Sequence, residues 1–271
     1  MELGEEGVCH PMNPNWLGLG AAAGAFILFW YTYHAAVKLS IKTRLILAFV
    51  LVDLAIPGIS LAVYYAHILP EMAWYYEFRS WPGTELLVLP IGVSGALFAT
   101  LMPRRYLLLP LLATAACVLL PVWKSIIAPL PQNELKDQWK DNVCLQSTDS
   151  TCGAASTTTI LKQHGIAITE RQIAQEAYSS ARGTEAWYLA RAIRNHGCSA
   201  RFHFTTGFSP EMPLPVVAGV RLGPIGHFIP ILSRDGDNFR IGDPLNGPET
   251  LSQAELIKRY DFTGFYLQIS K

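Results

Sequence analysis

Residues 146–165, QSTDSTCGAASTTTILKQHG, decide how this chain is read. Cys152 follows Gln146 by six positions, and the small residues Gly153, Ala154 and Ala155 lead into an apolar helical pattern. Ile160 and Leu161 are expected to face a core and Thr157 to Thr159 and Lys162 to face away from it, while His164-Gly165 supplies a C-terminal glycine. The pattern predicts a helix from about Cys152 to His164 with the cysteine in its first turn. A thiol attacks a carbonyl only as its thiolate, and the unpaired N–H groups and dipole of a helix start favour that anion. Gln146 can aim its side-chain amide at the oxygen of a tetrahedral intermediate, beside the backbone N–H of Cys152, so the two would form an oxyanion hole.

A thiolate also needs a proton acceptor and a group that orients it. In GHFIPILSRDGDNFRIGDPLNG, His227 opens an apolar run, a DGDN turn follows, and Asp243 ends the next strand, sixteen residues after the histidine. Two antiparallel strands joined by that turn would carry both side chains to one end of a sheet, where Asp243 could hold the imidazole in the tautomer facing Cys152. Asp235 and Asp237 read as turn formers. A cysteine beside glycine, or a single histidine, is more often structural; four positions with matched roles argue for chemistry.

Gln146, Cys152-Gly153, His227-Phe228 and Asp243-Pro244, in this order and spacing, resemble the bacteriocin-processing cysteine peptidases, papain-like enzymes that cut leader peptides after a double glycine. The resemblance covers about residues 143–271, including GTEAWYLARAIRNHG and LSQAELIKRYDFTGFYLQI. It implies Cys152 as nucleophile, His227 as base, Asp243 as its orienter, Gln146 as oxyanion donor, and small residues before the cleaved bond. The family often has Asp immediately before the cysteine; here that position is Thr151.

Of 271 residues, 51% are hydrophobic and 15% charged, a balance that assigns part of the chain to lipid. The formal net charge is zero, which gives no electrostatic case for nucleic acid. No GxxxxGK[ST] loop is present, so the transporter ATPase that usually accompanies such peptidases is not expected here. Without CxxC or HExxH, and with scattered histidines, no metal or other cofactor is expected.

Four apolar segments, about 16–37, 45–69, 86–102 and 106–127, approach the roughly 17 to 25 residues that a spanning helix needs. The third is short and carries Pro90, Gly92 and Gly95; the Gly, Ala and Ser content of the segments permits close helix packing. The acidic N-terminus does not read as a signal peptide, so the first segment is expected to be retained. Lys38, Lys42, Arg44, Arg104 and Arg105 flank the spans on one side, whereas Glu2, Glu5, Glu6, Glu71 and Glu77 lie on the other. The positive-inside rule then puts both termini outside the cytoplasm, against a mild contrary vote from Lys124. The aromatic loop from Trp74 to Trp81 reads as an interfacial anchor, with presentation of membrane-bound substrate as the sharper alternative. Asp53, inside the second span, is a functional candidate by default.

The expected organisation is therefore an N-terminal tail (1–15), an all-α transmembrane domain of four spans (16–128), a short, partly stiff linker (129–142) and an α+β papain-like peptidase domain (143–271). In the last, Thr169 and Thr184 are expected to cap helices near 170–178 and 185–195, and strands are expected near 200–205, 214–220, 227–233, 238–242 and 264–269. Cys117 reads as a small hydrophobe in a span; Cys9, Cys144 and Cys198 would lie where disulfides form, with Cys144–Cys198 the pairing to test. His164, His196 and His203 read as surface or capping residues. The expected function is a bacterial plasma-membrane thiol peptidase facing the periplasm or exterior, acting on peptides or proteins that are themselves membrane-associated. A thiol acyltransferase using the same residues, or a peptide-binding domain serving a transporter or maturation complex, remains open.

Overall fold

The computed structural model describes residues 14–271. The expected acidic tail up to Asn13, and Cys9 within it, lie outside the described residues. The chain divides into two compact units, one comprising 15–71 and 81–126, the other including 72–80 and 127–271.

The first unit is all-α. Helix α1 (Trp16–Ala36) is capped by Asn15, whose Oδ1 accepts the Gly18 N–H at 2.9 Å. Helix α2 (Ile41–Tyr65) is capped by Ser40 and contains Pro57. After a separate short helix, α3 (Ala73–Arg79), a 3-10 turn at Thr84–Val88 runs into α4 (Leu89–Leu101); α5 (Leu108–Leu119) and α6 (Trp123–Ile127) complete the unit. Four segments, Trp16–Ala36, Ile41–Tyr65, Thr84–Leu101 and Arg104–Ile127, are long and apolar enough to cross a membrane. The third is poor in bulky residues because it is the inner helix. A Cβ at Gly92 would sit 1.9 Å from the Ala25 carbonyl oxygen, and one at Gly95 would sit 2.1 Å from Thr114 Oγ1. Half of that span's apolar window is buried, against 28% in each of the other three.

The second unit is α+β. A hairpin of β1 (Gln138–Lys140) and β2 (Val143–Leu145) turns at Asp141-Asn142, both at positive φ as a tight hairpin requires. Helices α7 (Cys152–Gln163), α8 (Glu170–Glu176) and α9 (Ala186–Asn195) follow. The main sheet has the order β3-β8-β4-β5-β6-β7, all antiparallel, with β3 Ser199–Phe204, β4 Val216–Leu222, β5 Ile225–Asp235, β6 Asn238–Asp243, β7 Gly247–Ser252 and β8 Asp261–Ser270. Helix α10 (Gln253–Arg259) joins β7 to β8 and starts at a Ser252/Glu255 capping box.

Several expectations change. Helix α7 is buried all round: Thr157 and Thr158 are fully buried and Thr159 nearly so, because the helix packs against β5, β2, α8 and α9 at once. Thr169 caps α8 with a capping box, but Thr184 caps nothing; its hydroxyl pairs with Ser179 Oγ at 2.6 Å, and Glu185 is the N-cap of α9. The 129–142 stretch packs within the second unit: Leu130 and Leu135 are buried, Pro129 bridges Ser180, and Arg171 Nη2 donates to the Leu135 carbonyl at 2.6 Å.

The aromatic loop differs most from an interfacial anchor. Trp74 and Trp81 are exposed, but α3, which carries Trp74, is built into the second unit. The Tyr76 ring lies 5.2 Å from both Trp187 and Phe202, and the Arg79 guanidinium stacks over Trp187 and Tyr188 while donating to Tyr188 Oη at 2.9 Å. Glu77 accepts the Phe202 N–H on the open edge of β3 at 2.9 Å and pairs with Arg194. The Phe202 N–H is thereby withheld from any further strand on that edge.

Candidate active site

Helix α7 sets the position of Cys152. A Cβ at Gly153 would sit 2.9 Å from Leu189 Cδ1 and 3.2 Å from the Phe228 ring, so glycine allows α7 to lie directly on β5. Ser156, one turn below Cys152 on the same face, donates to the Phe228 carbonyl at 3.0 Å. The cysteine is thereby held at the level of the residue before Phe228, which is His227.

His227 is buried, with Nε2 3.0 Å from Asp243 Oδ1, and Cys152 lies near enough to act on the charge of its ring. With Nε2 directed at the carboxylate, Nδ1 is the nitrogen left for the thiol. Burial works against charge on the ring, but the hydrogen bond to Asp243, the nearby Cys152 and the negative charge of both carry its pKa up to about 9. Asp243 is 1% exposed. Its Oδ1 also accepts the Leu245 N–H at 3.0 Å; its Oδ2 accepts Asn246 Nδ2 at 2.8 Å and Tyr260 Oη at 3.0 Å. Burial alone would raise this carboxyl, yet the hydrogen bonds from His227, Leu245 and Asn246 hold it down to about 2. The phenol of Tyr260 is pushed up by burial and by the Asp243 charge, so it stays a donor.

These shifts confine the stability that the pair contributes. The Asp243 part is present above its ordinary pKa of 3.8 and is lost as pH falls through about 2. The His227 part is fully present below 6.5 and is lost as pH rises through about 9.

Gln146 is tied to the same end of the sheet by its backbone, whose N–H donates to the Pro244 carbonyl at 2.9 Å. One N–H of its side-chain amide donates to the Thr148 carbonyl at 2.9 Å, in the loop that leads into α7, and the second is left for another acceptor. Its Oε1 is buried without a partner among the described residues. Thr151 occupies the position where an acid is common. Its hydroxyl accepts the Thr148 N–H and donates to the Thr148 carbonyl, both at 3.1 Å, and makes no cap bond to α7. It staples the approach loop and leaves the first-turn N–H groups of α7 to face the thiol sulfur or an oxyanion. Farther back, the buried Glu170 accepts the N–H and hydroxyl of Ser147, fixing the start of that loop.

The remaining cysteines differ from Cys152. Cys144 and Cys198 are both free and buried, so the pairing between them is not formed. Burial pushes both thiols up, and at Cys144 the charges of Glu170 and Asp137 add to that rise. His164 faces the Ile269 carbonyl, His196 pairs with Glu176, and His203 with Gln268. Among the described residues no group of three or more His, Cys, Asp or Glu side chains is placed to hold a metal ion.

Sequence reasoning missed Tyr260 and Asn246. The second had a signal, since Asp-Pro-Leu-Asn-Gly is a turn in which the asparagine falls three residues after the acid. Tyr260 depends on α10, whose start is marked by Ser252-x-x-Glu255.

The model of the Peptidase C39 family matches residues 140–271. An uncharacterized protein of Methanothermobacter marburgensis is 31% identical over 105 residues, 38% of this chain and 70% of that protein. One of Methanothermobacter thermautotrophicus is 29% identical over 132 residues, 48% of this chain and 88% of that protein. Among solved structures, a double glycine motif protease from an AMS/PCAT transporter, in complex with the leader peptide, is 24% identical. It covers 47% of this chain and 89% of its own, with a TM-score of 0.40. The peptidase domain of Streptococcus ComA, a bi-functional ABC transporter involved in quorum sensing, is 16% identical, covering 46% and 95%, with a TM-score of 0.40. Through its α+β half the chain belongs to the Peptidase C39 family of cysteine peptidases.

Proposed function

We propose that this protein is a plasma-membrane cysteine peptidase that cleaves leader peptides or other exported or membrane-associated chains, with its catalytic unit outside the cytoplasm. The observation that carries the reading is the buried His227–Asp243 pair, its carboxylate held by four donors, with the buried Cys152 near enough to act on the charge of the imidazole.

The Cys152 thiolate forms a C–S bond to the peptide carbonyl carbon, and the carbonyl electron pair moves to oxygen, where the free Gln146 N–H and the Cys152 backbone N–H receive it. The imidazolium of His227 gives its proton to the amide nitrogen as the C–N bond breaks and the amine leaves. Neutral His227 then takes a proton from the water that attacks the thioester, and Cys152 departs as thiolate. Asp243 stays ionised and fixes the ring throughout.

Orientation is supported by connectivity. Helix α3 packs in the same unit as residues 127–271, so the chain must cross the bilayer an even number of times between Ser80 and Ile127, as two spans there provide. The basic residues Lys38, Lys42, Arg44, Arg104 and Arg105 belong to the opposite side, which the positive-inside rule assigns to the cytoplasm. In intact spheroplasts a membrane-impermeant thiol reagent should label Cys152, and the Cys152→Ala variant should lose that label. Labelling that appears only after lysis would invert the topology and move the reaction to the cytoplasm.

A further inference from the structure

Asp53 is the midpoint residue of α2, and on the reading above it lies at the centre of the bilayer. It projects outward from the helical bundle: with the exposed Ile46, Phe49 and Val50 it completes the i, i+3, i+4, i+7 spacing of one helix face, and Leu54 beside it is exposed too. Its carboxyl group has no hydrogen-bond or ion-pair partner among the described residues. A second feature falls at the same place. Pro57, four residues on, has no N–H, so the Asp53 main-chain carbonyl loses the donor that an α-helix normally supplies. Side-chain and backbone acceptors thus coincide on an apolar face at a depth where unpaired polar groups are costly.

We propose that this face of α2 docks a transmembrane helix of another membrane protein, through a Lys or Arg that the partner carries at mid-depth. The charge decides the occupant. Basic residues of this chain's own membrane half sit at span ends or in loops: Lys38, Lys42, Arg44, Arg104, Arg105 and Lys124. Of the two best placed, Arg44 donates to the Thr100 carbonyl and Lys124 lies over the Tyr65 ring. A second copy would bring another Asp53 to the same depth, where two acids pair only by sharing a proton, whereas a Lys or Arg complements the carboxyl group directly.

The proposal rests on the membrane reading, and the test separates the two. The full chain, donor-labelled, is reconstituted in phosphatidylcholine vesicles with an acceptor-labelled synthetic peptide of about 20 Leu and Ala residues carrying either Lys or Leu at its centre. Energy transfer to the Lys peptide should exceed that to the Leu peptide several-fold, and Asp53→Leu should erase the difference. Melting of the reconstituted protein without peptide should move to higher temperature in Asp53→Leu, since an unpaired acid leaves the lipid face. Equal transfer to the two peptides, a difference that survives Asp53→Leu, Asp53-dependent transfer between labelled copies of this chain, or a lowered melting temperature would overturn the proposal. Release of the full chain from vesicles by alkaline carbonate would overturn the membrane reading, and the proposal with it.

Discussion

Asp243 and Asp53 are the same side chain in opposite circumstances. Asp243 is enclosed at the end of β6, and His227, Leu245, Asn246 and Tyr260 all donate to it. Asp53 stands exposed on the outer face of α2, beside a carbonyl deprived of its helical donor by Pro57. A carboxylate removed from bulk water requires donors. Where the fold provides them, the acid serves the fold's own chemistry; where it does not, the acid marks a surface that something else completes.

The largest test of that contrast replaces each acid. Asp243→Asn should lower kcat/KM on a quenched-fluorescent Gly-Gly peptide by on the order of a thousandfold or more, since the amide no longer fixes the imidazolium. Asp53→Leu should leave cleavage of the same soluble peptide unchanged. Equal losses in the two variants would dissolve the distinction. In the unsubstituted protein, kcat/KM should fall on the alkaline side near pH 9, where His227 gives up the proton needed by the leaving amine.

A smaller effect sharpens the account of Asp243. Asn246 is exposed, so Asn246→Ala should fold, but it removes one donor to the carboxylate. The Asp243 carboxyl should then titrate above about 2, and the acid limb of thermal stability should move to higher pH. Stability recorded against pH would read this directly. An unmoved acid limb would mean that the remaining three donors suffice.

Much of the site was legible because its signals are local. A cysteine at a helix start, a histidine opening an apolar run and an acid closing the next strand each declare themselves within a few residues. What escaped depends on packing between distant segments. Tyr260 reaches Asp243 only through α10 and the crossover from β7 to β8. Thr157 and Thr158 look polar in sequence, yet α7 is the central helix of its unit and buries them, their hydroxyls without partners among the described residues. Tyr75, Tyr76 and Arg79 share a segment with Trp74, whose aromatic character suggests an interface. Only the tertiary structure reveals that Tyr76 and Arg79 turn inward onto α9 and β3 while Trp74 does not.

The central claim is that Cys152 is an activated nucleophile, and its alkylation kinetics test this most directly. Full-length protein is treated with iodoacetamide at neutral pH, and adducts at each cysteine are followed by mass spectrometry, with His227→Ala alongside. Cys152 should react at least about tenfold faster than Cys144 or Cys198, whose thiols burial pushes up, and should slow markedly in His227→Ala. A Cys152 that reacts no faster than Cys198, or whose rate is indifferent to His227, would contradict the account.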